Sequence, residues 1–133
     1  MKRYLADTHA VLWSTGGQPR YLGARARRVF AECGSGRCEI LVSVVSLWEI
    51  AMLHDEGSVR LPAGFSAWCD GLAAIAGLRI EPLTRGDVEE ARSLRGLRDP
   101  HDRLIGGTAL RLGAALLTAD RRMRADQRLR TVW

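Results

Sequence analysis

Short apolar runs, too brief for helices, alternate along this chain with longer stretches of helical period, and that alternation narrows the fold more than any other feature. The first run, residues 3–6, ends against an acid, Asp7, and is followed by a helical-looking segment at 10–14 before Thr15-Gly16-Gly17-Gln18-Pro19 breaks the chain. Residues 24–33 read as an Arg-rich amphipathic helix closed by Gly34, and the β-branched run 40–45 leads straight into a helix at 46–54. Pro62 opens a further helical stretch, 65–76, which Gly77 ends ahead of a short strand at 78–82. Thr84 is placed to cap a helix over 87–94. Residues 99–113 carry Ile105, Ala109 and Leu112 on one helical face, 114–118 is a strand of the buried type, and 128–132 is expected as a last edge strand. Strands connected through helices pair in parallel, and a parallel sheet needs cover on both faces. The expectation is an α/β fold around a mostly parallel central sheet.

At 133 residues with no repeat, low-complexity segment or linker, the chain is expected to form one domain, 1–133, with the loop at 55–62 as its longest mobile stretch. Hydrophobic residues at 47% suffice for a core. No apolar run is long enough to span a bilayer, and an acid interrupts the N-terminus too early for a signal sequence, so a cytoplasmic protein with no membrane partner is expected. Cys33, Cys38 and Cys69 are odd in number and lack zinc-ligand spacing, which argues for inert thiols. A net charge of +5 favours approach to a polyanion, although an Arg-rich surface is equally explained as a solvated one.

In an open parallel sheet, ligands bind beyond the carboxyl ends of the strands. Asp7 follows the first strand, Asp120 follows the strand at 114–118, and Glu49 lies in the helix that continues the strand at 40–45. Asp102 sits in the first turn of the helix that Asp99 opens. Helix capping accounts for some of these acids one at a time. Asp99-Pro100-His101-Asp102 reads as N-cap, N1, N2 and N3, and Asp7 and Asp120 are each placed to cap the next helix along the chain. Glu49 resists that account. The apolar stripe Val44, Leu47, Trp48 and Ala51 would put it near the buried side of its helix, where a carboxylate needs a partner such as an Arg.

If the sheet gathers Asp7, Glu49, Asp102 and Asp120 at one rim, each close pair repels by about 4 kcal/mol at an effective dielectric of 20. Such a cluster calls for cations. Mg²⁺ and Mn²⁺ prefer carboxylate and water oxygens and leave room for a substrate phosphate, so the set suits phosphodiester hydrolysis by metal-activated water.

Four segments carry a resemblance: Leu5-Ala6-Asp7-Thr8-His9, Ser46-Leu47-Trp48-Glu49-Ile50-Ala51, Arg98-Asp99-Pro100-His101-Asp102-Arg103-Leu104-Ile105 and Leu117-Thr118-Ala119-Asp120. In this order they look like the motif blocks of PIN-domain ribonuclease toxins of the VapC type, the toxins of type II toxin-antitoxin systems, with the likeness running from Met1 to Trp133. The resemblance implies a PIN-like three-layer α/β/α fold and a metal-dependent endoribonuclease, using Mg²⁺ or Mn²⁺, that a cognate antitoxin neutralises. By position, Asp7, Glu49 and Asp102 would be the core metal ligands, with Asp120 completing the pocket directly or through water. Asp99 matches a further acid or is only a cap, and Thr8 and Thr118 would orient a water or an acid, or cap locally. The family also implies a homodimer and an antitoxin segment lying across the groove, with residues 20–30 and 65–76 as candidate contacts.

There are departures. Gly106 and Gly107 stand where such toxins more often carry alanine, which should weaken the helix by about 1 kcal/mol each. The lysine often found after the WEI block is missing from residues 52–57. His9 and His101 are not required by the metal chemistry and are expected to be bystanders. A phosphoacceptor domain is disfavoured because the only lysine is Lys2. A catalytically inactive PIN-like module that binds RNA or protein, and a DNA-directed nuclease, are the remaining alternatives.

Overall fold

The computed structural model describes residues 1–133. Strands β1 (Arg3–Ala6), β2 (Glu39–Ser43), β3 (Leu78–Glu81), β4 (Ala115–Leu117) and β5 (Thr131–Val132) form one sheet in the order β3-β2-β1-β4-β5, every pairing parallel. Seven helices join them: α1 (Thr8–Thr15), α2 (Ala24–Gly34), α3 (Val44–Asp55), α4 (Phe65–Ala73), α5 (Arg85–Ala91), α6 (Pro100–Leu112) and α7 (Arg121–Ala125). None is long and apolar enough to cross a membrane.

Successive strand residues point to opposite faces, so each strand feeds two cores. Ala6, Ile40, Val42 and Leu117 pack with α1, α2 and α4 on one side. Leu5, Leu41 and Leu116 pack with Ile105, Ala109 and Met123 on the other. The result is an α/β/α sandwich, as the alternation requires.

Several boundaries differ from expectation, each for a local reason. The β-branched run at 40–45 ends as strand at Ser43, because the Ser43 hydroxyl caps α3 by accepting from the Val45 N–H at 3.0 Å. Helix α3 then straddles the end of the sheet, with Val45 in one core and Leu47 against the other. Its buried residues are Val45, Ser46 and Ile50, so the stripe expected through Trp48 is not the buried one, and Trp48 is 59% exposed. Helix α4 stops at Ala73 rather than 76, since the chain must turn through Gly77 at φ +79°, where a Cβ would lie 2.6 Å from the Cys33 carbonyl oxygen. The edge strand expected over 128–132 pairs only at Thr131–Val132. Helix α7 is the short helix that Asp120 was placed to cap, and Met123 anchors it in the core.

Helices α5 and α6 lie against each other at the glycine pair. A Cβ on Gly107 would stand 2.9 Å from the Ala91 amide nitrogen and collide with the Asp87 carbonyl oxygen. The pair costs helix propensity; in return Gly107 lets the two helices touch backbone to backbone, and Gly106 leaves room for the Leu94 side chain. Beside this contact Asp87, fully buried, accepts the Thr84 N–H at 2.8 Å and pairs with the Arg111 guanidinium, which also reaches Glu81 at 2.9 Å.

Candidate active site

Chain order along the sheet reverses at β1: β2 and β3 lie to one side, β4 and β5 to the other. A crevice therefore opens beyond the carboxyl ends of β1 and β4. Asp7 is the first residue past β1, and its N–H donates to the Leu117 carbonyl at 3.1 Å, which ties it to the end of β4. Helices α1, α6 and α7 all begin here, and α3 passes alongside.

A pocket of about 380 Å³ at this crevice is lined by Asp7, Glu49, Asp99, Asp102 and Asp120, with Thr8, His9, Trp13 and Ala119 between them. All five acids singled out in the sequence face one space. The hollow is not the largest on the molecule; an apolar groove between α1, α2 and α4 encloses about 500 Å³. Chemistry, rather than size, marks the acidic pocket.

Hydrogen bonds divide the acids. Asp7 caps α1 by accepting the Ala10 N–H at 3.0 Å, Asp99 caps α6 from His101 and Asp102, and Asp120 caps α7 from Arg122 and Met123. The Thr118 hydroxyl donates to the Asp7 carboxylate and accepts the Asp120 N–H at 3.0 Å, linking the side chain of one acid to the backbone of the other. Thr8 Oγ1 lies 3.0 Å from Glu49 Oε1 and 3.1 Å from Ser46 Oγ, so its one proton serves the carboxylate and Ser46 donates to it. Glu49 thus has a hydroxyl, and no Arg, as its partner. Asp102 is different: no donor reaches its carboxylate.

The electrostatics follow from that geometry. Burial pushes the Asp7 carboxyl up from its ordinary value, outweighing the Thr118 and Ala10 hydrogen bonds that pull it down. Burial likewise raises Glu49 against the Thr8 hydrogen bond. Asp102 is pushed up to about 7, first by burial and then by repulsion from Asp99, Asp120, Glu49 and Asp7. No Lys or Arg lines the pocket; the nearest positive influences are His9 on Asp7 and His101 on Glu49. His9 lines the pocket itself.

The donor set fits a hard divalent cation: several carboxylate oxygens, mutual repulsion and no protein counter-charge. No three of the side chains converge on a single point as they stand, so an ion held here would fill part of its shell with water, as Mg²⁺ commonly does. Trp13 and Ala119 also line the pocket and were not singled out in the sequence. Trp13 was legible in principle, being four residues after His9 and therefore on the same face of α1.

Comparison with known proteins agrees with this geometry. The sequence pattern of the PIN domain matches residues 4–127. Ribonuclease VapC22 of Mycobacterium tuberculosis is 31% identical over 137 residues, covering 100% of both chains. VapBC2 from Rickettsia felis, solved bound to a DNA fragment from its promoter, superposes with a TM-score of 0.73 at 14% identity, covering 98% of this chain and 97% of that one. DNA-bound VapBC from Salmonella typhimurium gives a TM-score of 0.72 at 17% identity, covering 99% and 98%. With its sheet order, its acidic crevice and a family match spanning nearly its whole length, this chain belongs to the PIN-domain family.

Proposed function

We propose that the protein is a Mg²⁺- or Mn²⁺-dependent endoribonuclease toxin, a single cytoplasmic domain acting as a homodimer and neutralised by a cognate antitoxin. The observation that carries this reading is Asp102. Capping explains the placement of Asp7, Asp99 and Asp120, and Thr8 stabilises Glu49, but Asp102 sits among four other acids with no donor and no counter-charge. A carboxylate so placed costs the fold energy and is retained for what it binds. The resemblance to VapC22, a ribonuclease by name, supplies the reaction class.

Asp7, Glu49 and Asp102 are assigned as the core metal ligands, with Asp120 completing the set directly or through water and Asp99 at the rim, chiefly a cap. Thr118 fixes the Asp7 carboxylate, and Thr8 fixes that of Glu49, so each presents an oxygen to the pocket without rotamer search. A bound divalent ion would neutralise the cluster, acidify a water and draw in the scissile phosphate. Without that ion the pocket repels phosphate. The relatives solved as VapBC complexes support a protein partner, and residues 20–30 and 65–76 contribute Phe30, Trp68, Leu72 and Ile75 to the apolar groove where an antitoxin segment would lie.

Protein freed of antitoxin is incubated with structured RNA and matched DNA under Mg²⁺, Mn²⁺ or EDTA, beside folded Asp7→Asn and Asp102→Asn variants. Metal-dependent RNA cutting that both substitutions abolish is the expected result. That no three carboxylates converge on one point favours one second reading, a module that binds RNA without cutting it. Tight RNA binding with no cutting under any metal would select that module.

A further inference from the structure

The acidic pocket does not end at a wall. His9 and Trp13 line it and also line a second groove of about 690 Å³ that runs along α1. Four residues apart on one helix face, their rings stand 5.5 Å apart at 46°. Trp13 is backed by Tyr21 at 5.6 Å and Trp133 at 5.8 Å, so it is held as a fixed surface, while His9 is exposed. Farther along, Trp68 and Arg60 line the groove, and no acid does. The chemistry therefore changes at His9 and Trp13, from carboxylate to aromatic and, at Arg60, cationic.

Core packing accounts for one side of Trp13. It does not account for an exposed histidine tilted against it at the mouth of the acidic pocket. An unpaired nucleobase has a π-face on each side and binds aromatic surfaces with little regard to sequence, whereas a duplex keeps its bases stacked on one another. A base in this groove would place its own phosphate toward the acids and the next phosphate toward Arg60.

We infer that the groove lined by His9 and Trp13 is a nucleobase subsite, in which the base next to the cut phosphate is held against these two rings. This inference rests on the nuclease reading for the phosphate's place, but the subsite is measurable without catalysis. In EDTA at low salt, where the acids repel the phosphates of the intact and abasic strands equally and the difference reads the base, binding is compared for a single-stranded RNA, the same strand with an abasic position, and its duplex. With metal, the cutting rates of the same three are compared. Wild-type, His9→Ala, Trp13→Phe and Trp13→Ala proteins are used, each checked for fold by circular dichroism.

The intact strand is expected to bind about tenfold or more tightly than the abasic strand or the duplex, and to be cut faster. His9→Ala should weaken single-strand binding about fivefold or more, Trp13→Phe should leave it near wild type, and Trp13→Ala should lose the preference for the intact strand. If Trp13→Ala does not fold, His9→Ala and the abasic strand decide. Equal binding and cutting of intact and abasic strands, or no effect of His9→Ala in a folded protein, would overturn the inference and leave the groove to a peptide partner. RNA cutting that ignores the base sinks the subsite alone; base-dependent binding with no cutting under any metal sinks the nuclease alone.

Discussion

Two groups of buried or half-buried acids sit on this fold, and the chain treats them oppositely. Asp87 and Glu81, between β3, α5 and α6, share Arg111, and Asp87 also closes a capping box with Thr84. Asp7, Glu49, Asp102 and Asp120, beyond β1 and β4, share no cation, although the chain carries 20 Lys and Arg residues to choose from. The first group shows that this sequence can neutralise a buried carboxylate where stability alone is at stake. Leaving the second group uncompensated is therefore a feature of the site, and it makes opposite predictions for removing a charge at each place.

The largest effect is expected at the neutralised group. Arg111→Ala strips the counter-charge from a carboxylate with no exposure, and breaking such a pair costs about 3–5 kcal/mol. A fall in Tm of roughly 10 °C follows for a domain of this size. A shift of only a degree or two would mean that the Thr84 contacts suffice for Asp87, and the contrast would weaken.

At the uncompensated group the sign reverses. Asp102→Asn should cut RNA hydrolysis by about 100-fold or more, as loss of one preorganised charge contact does, while raising the Tm of metal-free protein at neutral pH. Loss of activity with a lowered Tm would make Asp102 a structural acid like Asp87.

The same group sets a pH and metal dependence. With the Asp102 carboxyl at about 7 in the fold and near its ordinary 3.8 when unfolded, the native protein holds a proton across that interval that the unfolded chain has released. Metal-free stability should fall as pH rises from about 4 to about 7, with Asp7 and Glu49 pulling the same way. Thermal melts in EDTA across this range should slope downward for wild type and flatten for Asp102→Asn. Mg²⁺ at about 100 times its Kd should restore roughly 2.7 kcal/mol to wild type at neutral pH and much less to the variant. Melts that are flat in pH and blind to Mg²⁺ would say the acids do not act as a cluster.

Much of this was readable in the sequence because it depends on local rules. The alternation of short apolar runs with helical stretches carried the parallel sheet, and Asp99-Pro100 marked the start of α6. The convergence of the acids could be argued only through the general position of crevices in such sheets, together with the resemblance. What stayed hidden depended on contacts between distant segments. The periodicity of α3 suggested that Trp48 faced inward, but α3 crosses the sheet's end and touches both cores, so its buried face is set by tertiary packing. Asp87 was visible only as a residue near a capping threonine, since Arg111 meets it from 24 positions away. Trp13 entered the site through the direction of α1.

Gly107 gives the smallest and most pointed test, because propensity and packing disagree about its sign. Alanine is better than glycine in a helix by about 1 kcal/mol, so sequence reasoning predicts that Gly107→Ala stabilises α6. Its Cβ would collide with the Asp87 carbonyl and crowd Ala91, and forcing such overlap costs about 1–3 kcal/mol. A net loss of roughly 1 kcal/mol is expected, falling on the same helix contact that seats the Asp87–Arg111 pair. Gly71 in α4 supplies the control, since a Cβ there meets nothing within 4 Å and alanine should gain up to about 1 kcal/mol. Opposite shifts in urea midpoint for the two variants would show that close approach of α5 holds glycine at 107. Stabilisation by both would mean that α5 can yield, and that the neutralised acids are seated less rigidly than the pocket across the sheet.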